Sequence, residues 1–121
     1  MGVAGERPAI YFIQQPPSDV IGHVGGSVSV NCSARSRELG QVKVTWLKDG
    51  RDVTEGNDRR SVSESGVLLI APVMTSQAPA AADDDEGVYE CVASDGSVSI
   101  ISTPVSLHIA SQYHYCCCCH G

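Results

Sequence analysis

Hydrophobic and polar residues alternate with a period of two along most of the chain, and turn signals interrupt the alternation at short intervals. Such a pattern predicts strands with one buried face, assembled as an all-β sandwich. Residues 9–15 (AIYFIQQ) predict a first strand. Pro16-Pro17 must break its pairing, because proline donates no ladder hydrogen bond, and the strand resumes near Asp19 (DVIGHV). After Gly25-Gly26, SVSVNCSA alternates most clearly: Val28, Val30 and Cys32 take one face, and Ser27, Ser29, Asn31 and Ser33 the other. In QVKVTWLKDG, Val42, Val44 and Trp46 face inward, Lys43 and Thr45 face out, and Asp49-Gly50 makes the turn. GVLLIAPV turns Leu68 and Ile70 inward, and residues 87–94 put Tyr89 and Cys91 on one face. Asp95-Gly96 predicts a type I′ hairpin turn. A last strand is expected over residues 97–110, with Val105, Leu107 and Ile109 inward. Residues 74–85 (MTSQAPAAADDD) are too small and acidic to build a core and predict a long loop. No segment carries a helical period, and no internal repeat is present.

Three inward-facing residues belong together: Cys32, Trp46 and Cys91. A disulfide joining two packed sheets over a buried tryptophan is the hallmark of the immunoglobulin fold. Closing so long a loop stabilises by roughly 4 kcal/mol in the chain-entropy account. Tyr89, two residues before the second cysteine, matches the tyrosine corner. In Asp85-x-Gly87-x-Tyr89-x-Cys91, glycine is expected to permit the corner, tyrosine to pin it and cysteine to staple the sheets. Asp85 resembles the acid that in many immunoglobulin domains pairs with an arginine before strand D, which would be Arg59 or Arg60 here, while Asp83 and Asp84 read as a solvated loop tip. The short interval from Trp46 to Leu68 and the lack of a terminal Phe-Gly-x-Gly indicate the intermediate (I-set) type. The expected organisation is an unstructured segment at 1–8, an I-set domain at 9–110 and a cysteine-rich tail at 111–121.

Composition narrows the function. A net charge of −6 disfavours nucleic-acid binding through a basic surface. No apolar run is long enough to span a membrane. The start, MGVAGERPAIYFIQQPP, lacks the features of a signal peptide. Glu6 stands where a myristoylation motif needs Ser or Thr. His23 and His108 have no catalytic neighbours in the sequence, and no phosphate loop or nucleophile triad occurs, so neither an enzyme nor a cofactor is expected.

The pieces PSDVIGHVGGSVSVNCSA, WLKDG, NDRRSVSESGVLLI, DEGVYECVAS and SIISTPVSLHIA together resemble the first immunoglobulin domain of the DCC, neogenin and frazzled family of netrin receptors. The resemblance covers residues 11–110. It implies an extracellular adhesion and recognition domain of an axon-guidance receptor, present here as a fragment. In that family netrin is bound chiefly by fibronectin domains, so netrin binding by this chain alone is not implied. The partners implied are other protein ectodomains, neighbouring immunoglobulin domains of the same receptor, and heparin-like glycans. A glycan patch would draw on Arg35, Arg37, Lys43, Lys48, Arg51, Arg59 and Arg60, but Glu38, Asp49, Asp52, Glu55 and Asp58 are interleaved and favour an ordinary mixed surface.

Asn31-Cys32-Ser33 is an N-glycosylation sequon. Asn31 is expected to face solvent, and the cysteine beside it must also oxidise, which leaves occupancy open. The tail YHYCCCCH has metal-ligand residue types, yet four consecutive cysteines suit neither a tetrahedral zinc site nor unstrained disulfides. The economical expectation is that residues 111–121 are not native receptor sequence. The competing expectation is a small intracellular immunoglobulin-like protein whose cysteine-rich tail binds metal or senses redox state.

Overall fold

The computed structural model describes residues 9–37, 40–75 and 84–110. The expectations for the 1–8 segment, the 111–121 tail and most of the long acidic loop lie outside those residues. Among the described residues, eleven strands form two packed layers. They are β1 (Ile10–Gln14), β2 (Asp19–His23), β3 (Val28–Val30), β4 (Ser33–Ser36), β5 (Lys43–Lys48) and β6 (Arg51–Asp52), followed by β7 (Arg60–Val62), β8 (Leu68–Ile70), β9 (Gly87–Ser94), β10 (Ser99–Ile101) and β11 (Val105–Ala110). The larger sheet runs β2-β11-β9-β5-β6, with β10 also on β9; the facing layer holds β3-β8-β7 and the pair β1-β4. No described residue is helical.

The prolines decide how the chain enters this arrangement. β1 pairs antiparallel with β4 in one layer, and β2 pairs parallel with β11 in the other. Pro16-Pro17 sits at the crossing, where a residue without an N–H costs no ladder bond. Gln15 ties the crossing down, its side-chain oxygen accepting from Thr103 N (3.1 Å).

Alternation holds where strands are long. Val28, Val30, Val44, Trp46, Leu68, Ile70, Tyr89, Cys91, Val105 and Leu107 are all buried. Three details depart from the sequence expectation. The SVSVNCSA strand divides, because β3 bonds β8 while β4 bonds β1. The last strand also divides, at Ser102, a buried serine in the bulge between β10 and β11. Its N–H reaches Cys91 O (2.8 Å), and its hydroxyl accepts from Cys91 N (2.9 Å) and donates to Thr103 O (2.9 Å). Ile109, near the sheet's end, is only half-buried.

The two Asp-Gly turns differ as well. Asp49 (φ 51) and Gly50 (φ 87) form the two-residue connection from β5 to β6, with both central residues at positive φ, as a type I′ turn requires. At the second turn only Gly96 (φ 99) is positive. There Asp95 Oδ1 accepts from Ser97 N and Val98 N (both 2.8 Å), so the side chain organises a wider turn. Those backbone donors, Val98 first and Ser97 next, hold the Asp95 carboxyl below its ordinary range.

Trp46 lies at the centre of the core with no exposed surface. Its indole N–H donates to Gly66 O (2.9 Å). Gly66 has φ +97, and a Cβ added there would overlap the Cys32 carbonyl oxygen and press on Val44. Gly66→Ala is therefore expected to destabilise the chain by at least about 2 kcal/mol, from positive-φ strain and displaced packing together. Urea unfolding measures this, and a loss under about 0.5 kcal/mol, the range of an ordinary surface change, would contradict it.

Candidate functional site

Among the described residues, buried polar side chains converge on one corner. Asp85 has no exposed surface and sits just before β9. The sequence leaves its partner open between Arg59 and Arg60, and the structure brings both. Arg59 Nη1 lies 2.5 Å from Oδ2 and Nη2 3.3 Å from Oδ1. Arg60 approaches Oδ1 with Nε at 2.9 Å and Nη2 at 2.8 Å. Met74 N–H adds a bond of 2.7 Å to Oδ2. The arginines use their remaining donors on backbone: Arg59 on Pro72 O (2.8 Å) and Arg60 on Asp84 O (3.1 Å). Burying a charge is tolerable only with such saturation of its hydrogen-bonding capacity.

The same residue anchors the corner through its main chain. Asp85 N donates to Met74 O (3.0 Å), which closes the base of the loop between them. Asp85 O accepts from the Tyr89 hydroxyl at 2.6 Å. Burial raises the Tyr89 phenol well above its ordinary pKa, with Arg60 opposing the shift and Asp85 reinforcing it. Gly87 opens β9 beside the Lys48 side chain; a Cβ there would come within 3.0 Å of Lys48 Cε. Lys48 in turn reaches Asp49 (3.1 Å).

Cys32 and Cys91 form a disulfide between the sheets, 6.6 Å apart at Cα, with both residues buried. Leu68 packs in the same buried cluster as Trp46. Asn31 is exposed at the boundary of β3 and β4. Several of the basic residues have partners within the domain. Arg59 and Arg60 turn to Asp85, Lys48 to Asp49, and the Arg37 guanidinium stacks 4.7 Å over the Tyr11 ring. His108 pairs with Asp19 (3.1 Å) across β11 and β2, on the surface. Among the described residues, no group of three or more His, Cys, Asp or Glu could hold a metal ion.

Sequence reasoning does not single out Gly66, Ser102 or Gln15. Gly66 left a signal, a Ser-Gly turn pair before the GVLLI strand. The other two left none, since each acts on a partner far along the chain.

Two packed sheets stapled over a buried tryptophan, with a tyrosine corner beside the second cysteine, define an immunoglobulin-type sandwich. A sequence profile described as "Immunoglobulin domain" matches residues 12–95, and the chain belongs to that family. It is 36% identical over 109 residues to netrin receptor DCC of Rattus norvegicus, covering 88% of this chain and 7% of that receptor. Over 102 residues it is 36% identical to neogenin of Mus musculus, covering 83% of this chain and 6% of that protein. The chain thus spans less than a tenth of the length of these relatives. The immunoglobulin domains 1–4 of Sidekick-1 superpose with a TM-score of 0.68 at 25% identity, over 84% of this chain and 24% of that one. DCC and neogenin, the family named from the motifs, are thus among the relatives this chain matches over most of its length.

Asp85→Ala is expected to cost about 3–5 kcal/mol, because it strands the buried Arg60 guanidinium and the partly buried one of Arg59. Denaturant unfolding reads the loss, and a cost below about 1 kcal/mol would place the pairing among weak surface contacts. Tyr89→Phe is expected to cost about 1–3 kcal/mol at neutral pH, since the buried Asp85 carbonyl loses its donor. The phenol's pKa is raised in the folded state, so its stabilisation is complete below pH 10.0, the ordinary phenol value, and declines as pH rises further. The stability gap between the parent and Tyr89→Phe should therefore narrow above that pH. A gap that stays constant or widens would contradict the burial of the hydroxyl.

Proposed function

We propose that the chain is the first immunoglobulin domain of an axon-guidance receptor of the netrin-receptor type, acting as a non-enzymatic extracellular recognition and adhesion module. The observation that carries this reading is the match to DCC across 88% of the chain. The Arg59–Asp85–Arg60 corner adds support, since it uses the DRR and DEG motifs on which the resemblance rests. The partners best supported are neighbouring immunoglobulin domains and other protein ectodomains. Ile21, Val88 and Ile101 stand exposed on strands of the larger sheet and offer apolar contact surface. A heparin-like glycan has weaker support, because Arg59 and Arg60 are engaged with Asp85. Asn31, being exposed, is proposed as the glycosylation site.

The buried Cys32–Cys91 disulfide supports an oxidising, extracellular setting over an intracellular protein with a metal-binding tail. Among the described residues, no helix is long and apolar enough to cross a membrane. The test is antibody labelling of the native protein on unpermeabilised cells, paired with thiol alkylation. Surface labelling with Cys32 and Cys91 resistant to alkylation is expected. Labelling only after permeabilisation, with both thiols reactive, would replace this reading with the intracellular one.

A further inference from the structure

Along one side the two sheets leave their edges open. β6 covers only the far end of β5: Leu47 pairs with Asp52 and Lys48 with Arg51. Val53 N then reaches Trp46 O (3.0 Å). Upstream of that point β5 has β9 on one side and, among the described residues, no strand on the other. Antiparallel pairing determines which backbone groups face that gap. Cys91, opposite Trp46, directs its N–H and C=O to Ser102, so Trp46 and Cys91 are a non-hydrogen-bonded pair. Val44, opposite Ala93, repeats that geometry two residues earlier. Its N–H and C=O therefore point away from β9, toward the open edge.

β7, on the facing sheet, is open in the same direction. Arg59 O accepts from Ala71 N, and Ser63 N donates to Val67 O, so the odd-numbered residues bond toward β8. By alternation Val62 turns its N–H and C=O outward. Between the two edges lies a groove of about 750 Å³, lined by Val42, Val44, Trp46 and Val62 together with Asp52 and Glu64. That size falls within the ~300–1,000 Å³ typical of ligand clefts. Its lining mixes those apolar side chains with Gln41, Thr45, Thr54 and Ser63, and of the three charged side chains there Lys43 is the one cation. The chain as a whole carries −6.

We propose that this edge is a strand-addition site for an extended, basic segment of a partner protein. The segment pairs with β5 along residues 42–46, sets an apolar side chain toward Val44 and Val62, and carries a lysine or arginine toward Asp52 and Glu64. Unpaired edge groups template such pairing, and main-chain bonds supply affinity while alternate side chains supply specificity. The acidic rim selects the sign of the partner's charge. The inference deepens the recognition role proposed above and rests on it.

The test uses the oxidised, isotope-labelled chain and the blocked peptide acetyl-Thr-Val-Arg-Val-Lys-Thr-amide, followed by NMR. In the free chain the Val44 amide should exchange at least about tenfold faster than Thr45, whose N–H bonds β9. Adding the peptide should slow Val44 by at least about tenfold and shift resonances of residues 42–46 and 60–64. The same peptide N-methylated at alternate positions should produce neither effect. Glu64→Lys, an exposed change, should weaken binding about two- to fivefold. The proposal is overturned if the peptide fails to bind, if the N-methylated peptide binds equally, or if the shifts centre on β1 or β2. It is equally overturned if the free chain dimerises with Val44 protected, which would put a second copy in the groove. None of these failures touches the receptor reading, which surface labelling tests separately.

Discussion

A carboxylate with no access to water must find all its hydrogen bonds inside the protein, and Asp85 organises this domain by meeting that requirement. Its side chain joins β7, through Arg59 and Arg60, to the end of the segment that follows β8. Its main chain joins both ends of the acidic loop and receives the Tyr89 hydroxyl. One residue therefore sets where β9 begins and in what register its inward face starts. Cys91 follows Tyr89 on that face, so the aim of the disulfide depends on the same anchor.

The disulfide and the tryptophan then hold the layers together from the middle. Trp46 stands opposite Cys91 across the β5–β9 ladder, and its indole N–H is satisfied by Gly66 from the other layer. Gly66 can lie that close only because it lacks a side chain. The core is thus specified by a close backbone approach as much as by apolar volume.

Rigidity at the corner and openness at the edge are related. The chain leaves the larger sheet after only two residues of β6 and crosses to become β7, where Arg60, and Arg59 just before it, are drawn to Asp85. Among the described residues, that early departure leaves Val44 with β9 as its one strand neighbour and sets a groove beside it. The surface available for recognition follows from where the crossing strand is pulled.

Much of this was legible in the chain. Period-two alternation identified the buried faces of β3, β5, β8 and β9, because a strand half in water must separate its residues that way. Cys32, Trp46, Tyr89 and Cys91 declared the fold through spacing, and the resemblance to immunoglobulin domains implied an arginine partner for Asp85. What only the tertiary structure decided depends on which backbone meets which. Two arginines instead of one reach Asp85, and Ser102 divides the last strand around Cys91. Asp95 turns its hairpin by a side-chain bond where Asp49 uses positive φ. These outcomes rest on contacts between residues far apart in sequence. Local pattern states which residues must be buried, whereas the packed fold alone decides which of them touch.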